Sequence, residues 1–95
     1  MTKVLKYTSA ASKDLVRHLA FIAEKSEVAA EGWLDRMERK CLLLKEFPEL
    51  GQSLLRYGEA VRAIVVGRHI IFYRVLEDAV EVLRVLGGEQ NTEEL

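Results

Sequence analysis

Residues 61–86 read VRAIVVGRHIIFYRVLEDAVEVLRVL, and two short breaks divide them into three apolar runs. Val61, Ala63 and Val65 alternate with Arg62, Ile64 and Val66, and Gly67-Arg68 interrupts them. Residues 69–75 are then dense in β-branched and aromatic side chains, Glu77-Asp78 interrupts again, and residues 80–86 make the third run. Such side chains suit a pleated backbone, and breaks this short between them favour hairpins. The stretch predicts a three-stranded antiparallel meander. Its strands are apolar on both faces near their middles, so one face should lie on other elements and the second should be partly covered by a partner or a terminus.

Upstream the apolar period lengthens to a helical one. Ala30, Trp33, Leu34, Met37, Cys41 and Leu44 make one stripe, which predicts a helix opening at a Ser26 N-cap, with Glu27 and Glu31 where the helix dipole favours negative charge. It must end by Phe47, because Pro48 disfavours the helical conformation in the residue before it. About 20 residues at ~1.5 Å each give roughly 30 Å of helix. An earlier stripe, Ala11, Leu15, Leu19, Ile22 and Ala23, predicts a helix capped by Thr8 or Ser9 and running to about Lys25. With only the Lys25-Ser26 region between them, the two should form an antiparallel hairpin facing a common core of Leu15, Leu19, Ile22, Trp33, Met37 and Leu44. Residues 3–7 read as a short strand, and residues 49–53 as a turn or loop in which Gly51 supplies a positive φ if one is needed. The expected class is α+β: an N-terminal strand, an antiparallel helix hairpin and a three-stranded antiparallel meander.

The chain has 95 residues, which points to a single domain spanning 1–95. A chain of that size hides only about 60–65% of its unfolded surface, leaving little room for a deep active-site cleft. Hydrophobic residues at 49% and charged residues at 31% belong to an ordinary globular protein. No apolar run approaches the ~18 residues needed to span a bilayer, and the first residues lack the apolar segment of a secretion signal, so a cytoplasmic location is expected. Cys41 is the lone cysteine. It can make no internal disulfide or thiolate metal site, and its place in the helical stripe marks it as a small core residue. The formal charge of −1 gives no overall attraction to nucleic acid. Arg56, Arg62, Arg68, Arg74 and Arg84 nevertheless spread through the second half, whereas residues 89–95 carry three acids and no base.

Glycine-rich phosphate loops, HExxH, CxxC and nucleophile-elbow patterns are all lacking from the sequence, and the expected set of catalytic residues, metals and cofactors is empty. His18 and His69 stand far apart in sequence and are read as a solvated helix residue and a surface strand residue, not as metal ligands. An arginine in a strand can snorkel from the edge or pair with Glu59, Glu77 or Glu81. Arg84 is different, because it interrupts Val80, Val82 and Leu86 on one face, where a long cation needs an acid or a functional groove. Arg62 stands likewise among apolar neighbours, and Tyr73 sits at the centre of the second strand.

The order of elements carries Ala11-x-x-Asp14-Leu15, Ala29-Ala30, Phe47-Pro48-x-Leu50-Gly51, Val61-Arg62, Ile71-Phe72-Tyr73-Arg74-Val75 and Val82-Leu83-Arg84-Val85-Leu86-Gly87-Gly88. This succession resembles the ParE toxins of the ParE/RelE superfamily across nearly the whole chain. The resemblance implies the toxin of a type II toxin–antitoxin pair, held in a hetero-oligomer by a ParD-like antitoxin and acting by binding DNA gyrase. It implies neither an active site of its own nor direct sequence-specific nucleic acid binding. Arg62, Arg68, Tyr73, Arg74 and Arg84 are then the candidate target contacts, as exposed residues of the meander and its C-terminal end. Phe21, Leu42 and Leu43, on the outer surface of the hairpin, are the candidate antitoxin contacts. Many relatives end the last strand with a basic segment, but here Gly87-Gly88-Glu89-Gln90-Asn91 stands in its place. The RNA-cleaving RelE branch is expected to need cations and an aromatic acid or base where this chain has Arg62, Ile70, Glu89 and Leu95. That shortfall favours the non-catalytic branch. An mRNA endonuclease using Arg62, Arg68, Arg74, Arg84 and Tyr73, or an inactivated homologue, is the alternative.

Overall fold

In a computed structural model, which describes residues 3–87, the three apolar runs form the expected meander within a wider sheet. The elements are β1 (Val4–Tyr7), α1 (Ser9–Ala23), α2 (Glu27–Glu46), β2 (Gln52–Ser53), β3 (Val61–Val66), β4 (His69–Val75) and β5 (Ala79–Gly87). The sheet order is β1-β5-β4-β3-β2, antiparallel except where β1 runs parallel to β5. Short 3₁₀ turns at Pro48–Leu50 and Leu55–Tyr57 flank β2. Part of the expected loop is therefore an edge strand, too short and too polar to show a period. The β3–β4 turn is tight because Gly67 takes a φ of 61°, open to glycine at no steric cost.

Both helix caps fall where the sequence puts them. The Thr8 hydroxyl accepts from the Ala11 amide at 3.0 Å and that of Ser26 from the Ala29 amide at 3.1 Å. Trp33, Met37, Cys41 and Leu44 of α2 are buried against Ile71 and Tyr73 of β4 and Val80, Val82 and Val85 of β5. Leu15, Leu19 and Ile22 are only half-buried at the margin of this core. The buried residues of α1 are Ala11 and Asp14 instead, because α1 lies along the side of β5 and not over the middle of the sheet.

A bulge in β5 settles which residues face the helices. Phe72 lies opposite Arg84 and Tyr73 opposite Val82, leaving Leu83 unmatched. One extra residue reverses the alternation beyond it. Val80, Val82 and Val85 all join the helix-side core, while Arg84 falls opposite Phe72 and does not share a face with Val80 and Val82 as strict alternation requires.

Candidate functional site

Beyond Tyr7, where β1 stops, the outer side of β5 meets α1, and side chains replace a neighbouring strand. The Thr8 hydroxyl donates to the Leu83 carbonyl at 2.8 Å, and His18 Nε2 lies 3.0 Å from the Val85 carbonyl. Asp14 receives the Val85 amide on Oδ2 at 2.9 Å. Covering an exposed strand edge in this way satisfies backbone groups that invite unwanted pairing. Arg84 donates from Nε to Asp14 Oδ2 at 2.7 Å and from Nη2 to Oδ1 at 3.0 Å, and Arg17 donates to Oδ1 at 3.0 Å. Burial pushes the Asp14 carboxyl up, but the Arg84 and Val85 hydrogen bonds and the charges of Arg84 and Arg17 together outweigh it and hold the pKa below the usual value. The acid that Arg84 needed is thus Asp14, seventy residues away in the chain.

Tyr73 is fully buried, which corrects its expected place on the exposed surface. Its hydroxyl accepts from the Gly51 amide at 2.8 Å and donates to the Pro48 carbonyl at 2.6 Å. Arg62, paired with Tyr73 across the strands, donates to the carbonyls of Gly51 at 2.7 Å and Glu49 at 3.4 Å. Together they latch the turn after α2 onto the sheet. Gly51 has φ −77°, so positive φ is not its reason. A Cβ there would lie 2.5 Å from Tyr73 Oη and 2.8 Å from the Ala63 carbonyl oxygen, and glycine is required by close approach. Arg74 forms an exposed ion pair with Glu81. Of the five expected target contacts, Arg68 alone is an exposed cation with no partner among the described residues.

Arg68 lies beside a cluster that the sequence reading missed. His18 and His69 meet edge to face with ring centroids 4.6 Å apart, and Trp33 is tilted against His69 with centroids 5.1 Å apart. Trp33 Nε1–H donates to His69 Nδ1 at 3.2 Å. Burial first, and the neighbouring His18 second, lower the His69 pKa. Neither histidine is the isolated surface residue expected. The cluster forms the floor of a cavity of about 690 Å³, bordered by Arg17 and Phe21 of α1, Arg36 of α2 and Arg68 of the β3–β4 turn, and no carboxylate lines it among the described residues. A readable signal existed: His18 and Trp33 stand at nearly equal sequence distances from the Ser26 turn, so an antiparallel hairpin sets them side by side. Phe21 stands at the cavity with 62% of its surface exposed, while Leu42 and Leu43, 51% and 40% exposed, lie toward the other end of the hairpin.

Against this geometry, the model of the family described as ParE toxin of the type II toxin–antitoxin system, parDE, matches residues 5–92. The chain belongs to the ParE toxin family. Its fold is similar to that of a structure from the chromosomal ParDE toxin–antitoxin system of P. aeruginosa, with a TM-score of 0.74 and 17% identity over 90% of this chain and 96% of the other. It is also similar to a chain of the toxin–antitoxin complex RelBE2 from Mycobacterium tuberculosis, with a TM-score of 0.62 and 18% identity over 92% and 99%. Compared with curated proteins by sequence, it has no match. The ParE-like residues Asp14, Arg84, Gly51 and Tyr73 are fold-building here: two make the α1–β5 seam and two make the latch. No described helix is long and apolar enough to cross a membrane. Residues 88–95, including Glu89 and Leu95, lie outside the described residues.

Proposed function

We propose that this ParE-type toxin acts in the cytoplasm by binding DNA gyrase, without chemistry of its own, and that a ParD-like antitoxin neutralises it in a hetero-oligomer. The observation that carries the reading is the use made of Tyr73 and Arg84. RNA cleavage through a 2′-hydroxyl needs a base, an acid and a cation free to meet the phosphate. Tyr73 is buried with its hydroxyl engaged twice, and Arg84 is held on Asp14. Committing these groups to the fold supports a binder over a nuclease. Target contact then falls to the exposed arginines Arg68 and Arg74, since arginine is a frequent interface anchor. Phe21, Leu42 and Leu43 supply apolar area for the antitoxin, whose amphipathic segment would order on binding. That both structural neighbours come from toxin–antitoxin systems supports such a partner. Supercoiling by purified gyrase in the presence of the toxin is the test. Accumulation of cleaved DNA is expected; unaffected gyrase at large toxin excess, or transcripts cut on expression, overturns the reading.

A further inference from the structure

The cavity floored by His18, Trp33 and His69 joins apolar walls to unbalanced positive charge. Phe21 and Val66 give it apolar surface, Arg36 and Arg68 are exposed at its border, and no described acid lines it. Arg17 borders it too, but one of its nitrogens is already on Asp14. A site of this kind suits a ligand that combines an apolar group with a carboxylate or phosphate, since arginine binds either through paired donors. A metal is disfavoured, since no group of three metal-ligating residues occurs among the described residues.

Charge distribution separates the two remaining ligand classes. A nucleic acid backbone needs cations along a track and a protein whose field attracts it. This chain carries a net charge of −1, and Arg17, Arg36 and Arg68 border one concave apolar spot. That pattern suits a peptide whose apolar side chain enters a pocket while flanking carboxylates meet the border.

We infer that the cavity between the helix hairpin and the β3–β4 turn is the docking site for an acidic segment of the antitoxin, an apolar side chain entering against Phe21 and the His18–Trp33–His69 floor while carboxylates pair with Arg36 and Arg68. The source of the segment rests on the toxin–antitoxin reading; its chemistry does not. Trp33 is the only tryptophan in the chain and reports on the site directly.

Two measurements test the inference. Random dodecapeptides are selected on the folded toxin, with counter-selection on Arg36→Ala/Arg68→Ala, and the enriched peptides are titrated against Trp33 fluorescence. Enrichment of Asp or Glu beside Leu, Ile or Phe is expected, with affinity roughly tenfold weaker for the double variant and falling as salt rises. A neutral or basic consensus, no enrichment, or tighter binding of a single-stranded oligonucleotide overturns the inference. In parallel, the antitoxin encoded with the toxin is titrated calorimetrically. Loss of affinity in the double variant, with Lys13→Ala as a comparison at an exposed cation that does not line the cavity, supports the assignment. If wild type and double variant bind the antitoxin equally, the cavity assignment falls and the antitoxin reading stands. If the wild type binds no antitoxin, the reading itself falls.

Discussion

The seam between α1 and β5 and the cavity at the other end of the hairpin are both built from α1 and both carry arginine, but their charges end differently. At the seam, Asp14 gathers two bonds from Arg84, one from Arg17 and one from the Val85 amide, so both cations there have an acid within the fold. In the cavity, Arg36 and Arg68 border apolar walls with no described acid among the lining residues. Arginines in a small domain sort by where their charge ends. A cation with an intramolecular acid and a buried neighbour is part of the structure, whereas one left unmatched beside apolar surface is available for recognition.

The largest effect is expected at Asp14. Asp14→Ala leaves Arg84 and the Val85 amide without their acceptor, and a loss of about 3 kcal/mol in urea melts is expected. A change near zero would show that the seam is held by other contacts. The pH dependence follows with a definite sign. The folded pKa of Asp14 lies below its unfolded value, so the unfolded chain binds more protons between the two. The stability from this group is complete above the unfolded pKa and is lost as pH falls through the folded one.

Gly51→Ala tests the latch, a third region in which side chains are consumed by the fold. Its Cβ would meet Tyr73 Oη, Tyr73 Cε1 and the Ala63 carbonyl, and about 2–3 kcal/mol of destabilisation is expected. Removing only the hydroxyl, as in Tyr73→Phe, leaves the other two contacts and should not restore stability to the double variant. Leu19→Ala is expected to cost about 2 kcal/mol, the lower end for a core leucine, because Leu19 is only half-buried. A larger cost would mean that α1 reaches further into the core than the seam allows.

The cavity should respond more gently. His69 has a lowered pKa in the fold, from burial and then from His18. Protonation is therefore disfavoured in the folded state, and stability from this group, present above the unfolded value near 6.5, declines as pH falls toward the folded one. A protonated Nδ1 would also face the Trp33 N–H donor, so Trp33 emission should change over the same interval. A His69→Gln variant should lose that change. The smallest effect belongs to the unmatched arginines: Arg36→Ala/Arg68→Ala should alter thermal or urea stability by no more than ~0.5 kcal/mol, and a larger loss would place them with the seam.

Much of the fold could be read from the chain because its signals are local. Thr8 and Ser26 cap helices through hydroxyls a few residues from the amides they meet, Pro48 ends α2, and Gly67 turns β3 into β4. Trp33, Met37, Cys41 and Leu44 of the α2 stripe lie in the core as their period requires. The family also showed through, in the order of its motifs. Residue roles did not, because they depend on partners distant in sequence. The bulge at Leu83 changed the company of Arg84, and Asp14, ordinary on a helical wheel, became the buried acid that Arg84 required. Tyr73 turned inward because the Pro48–Gly51 turn brings backbone groups to its hydroxyl. His18, Trp33 and His69 became one cavity floor only when the hairpin closed over the β3–β4 turn. Period, capping and turn chemistry act over a few residues and are written in the sequence; the neutralisation of a charge and the closing of a cavity depend on packing, and only the tertiary structure decides them.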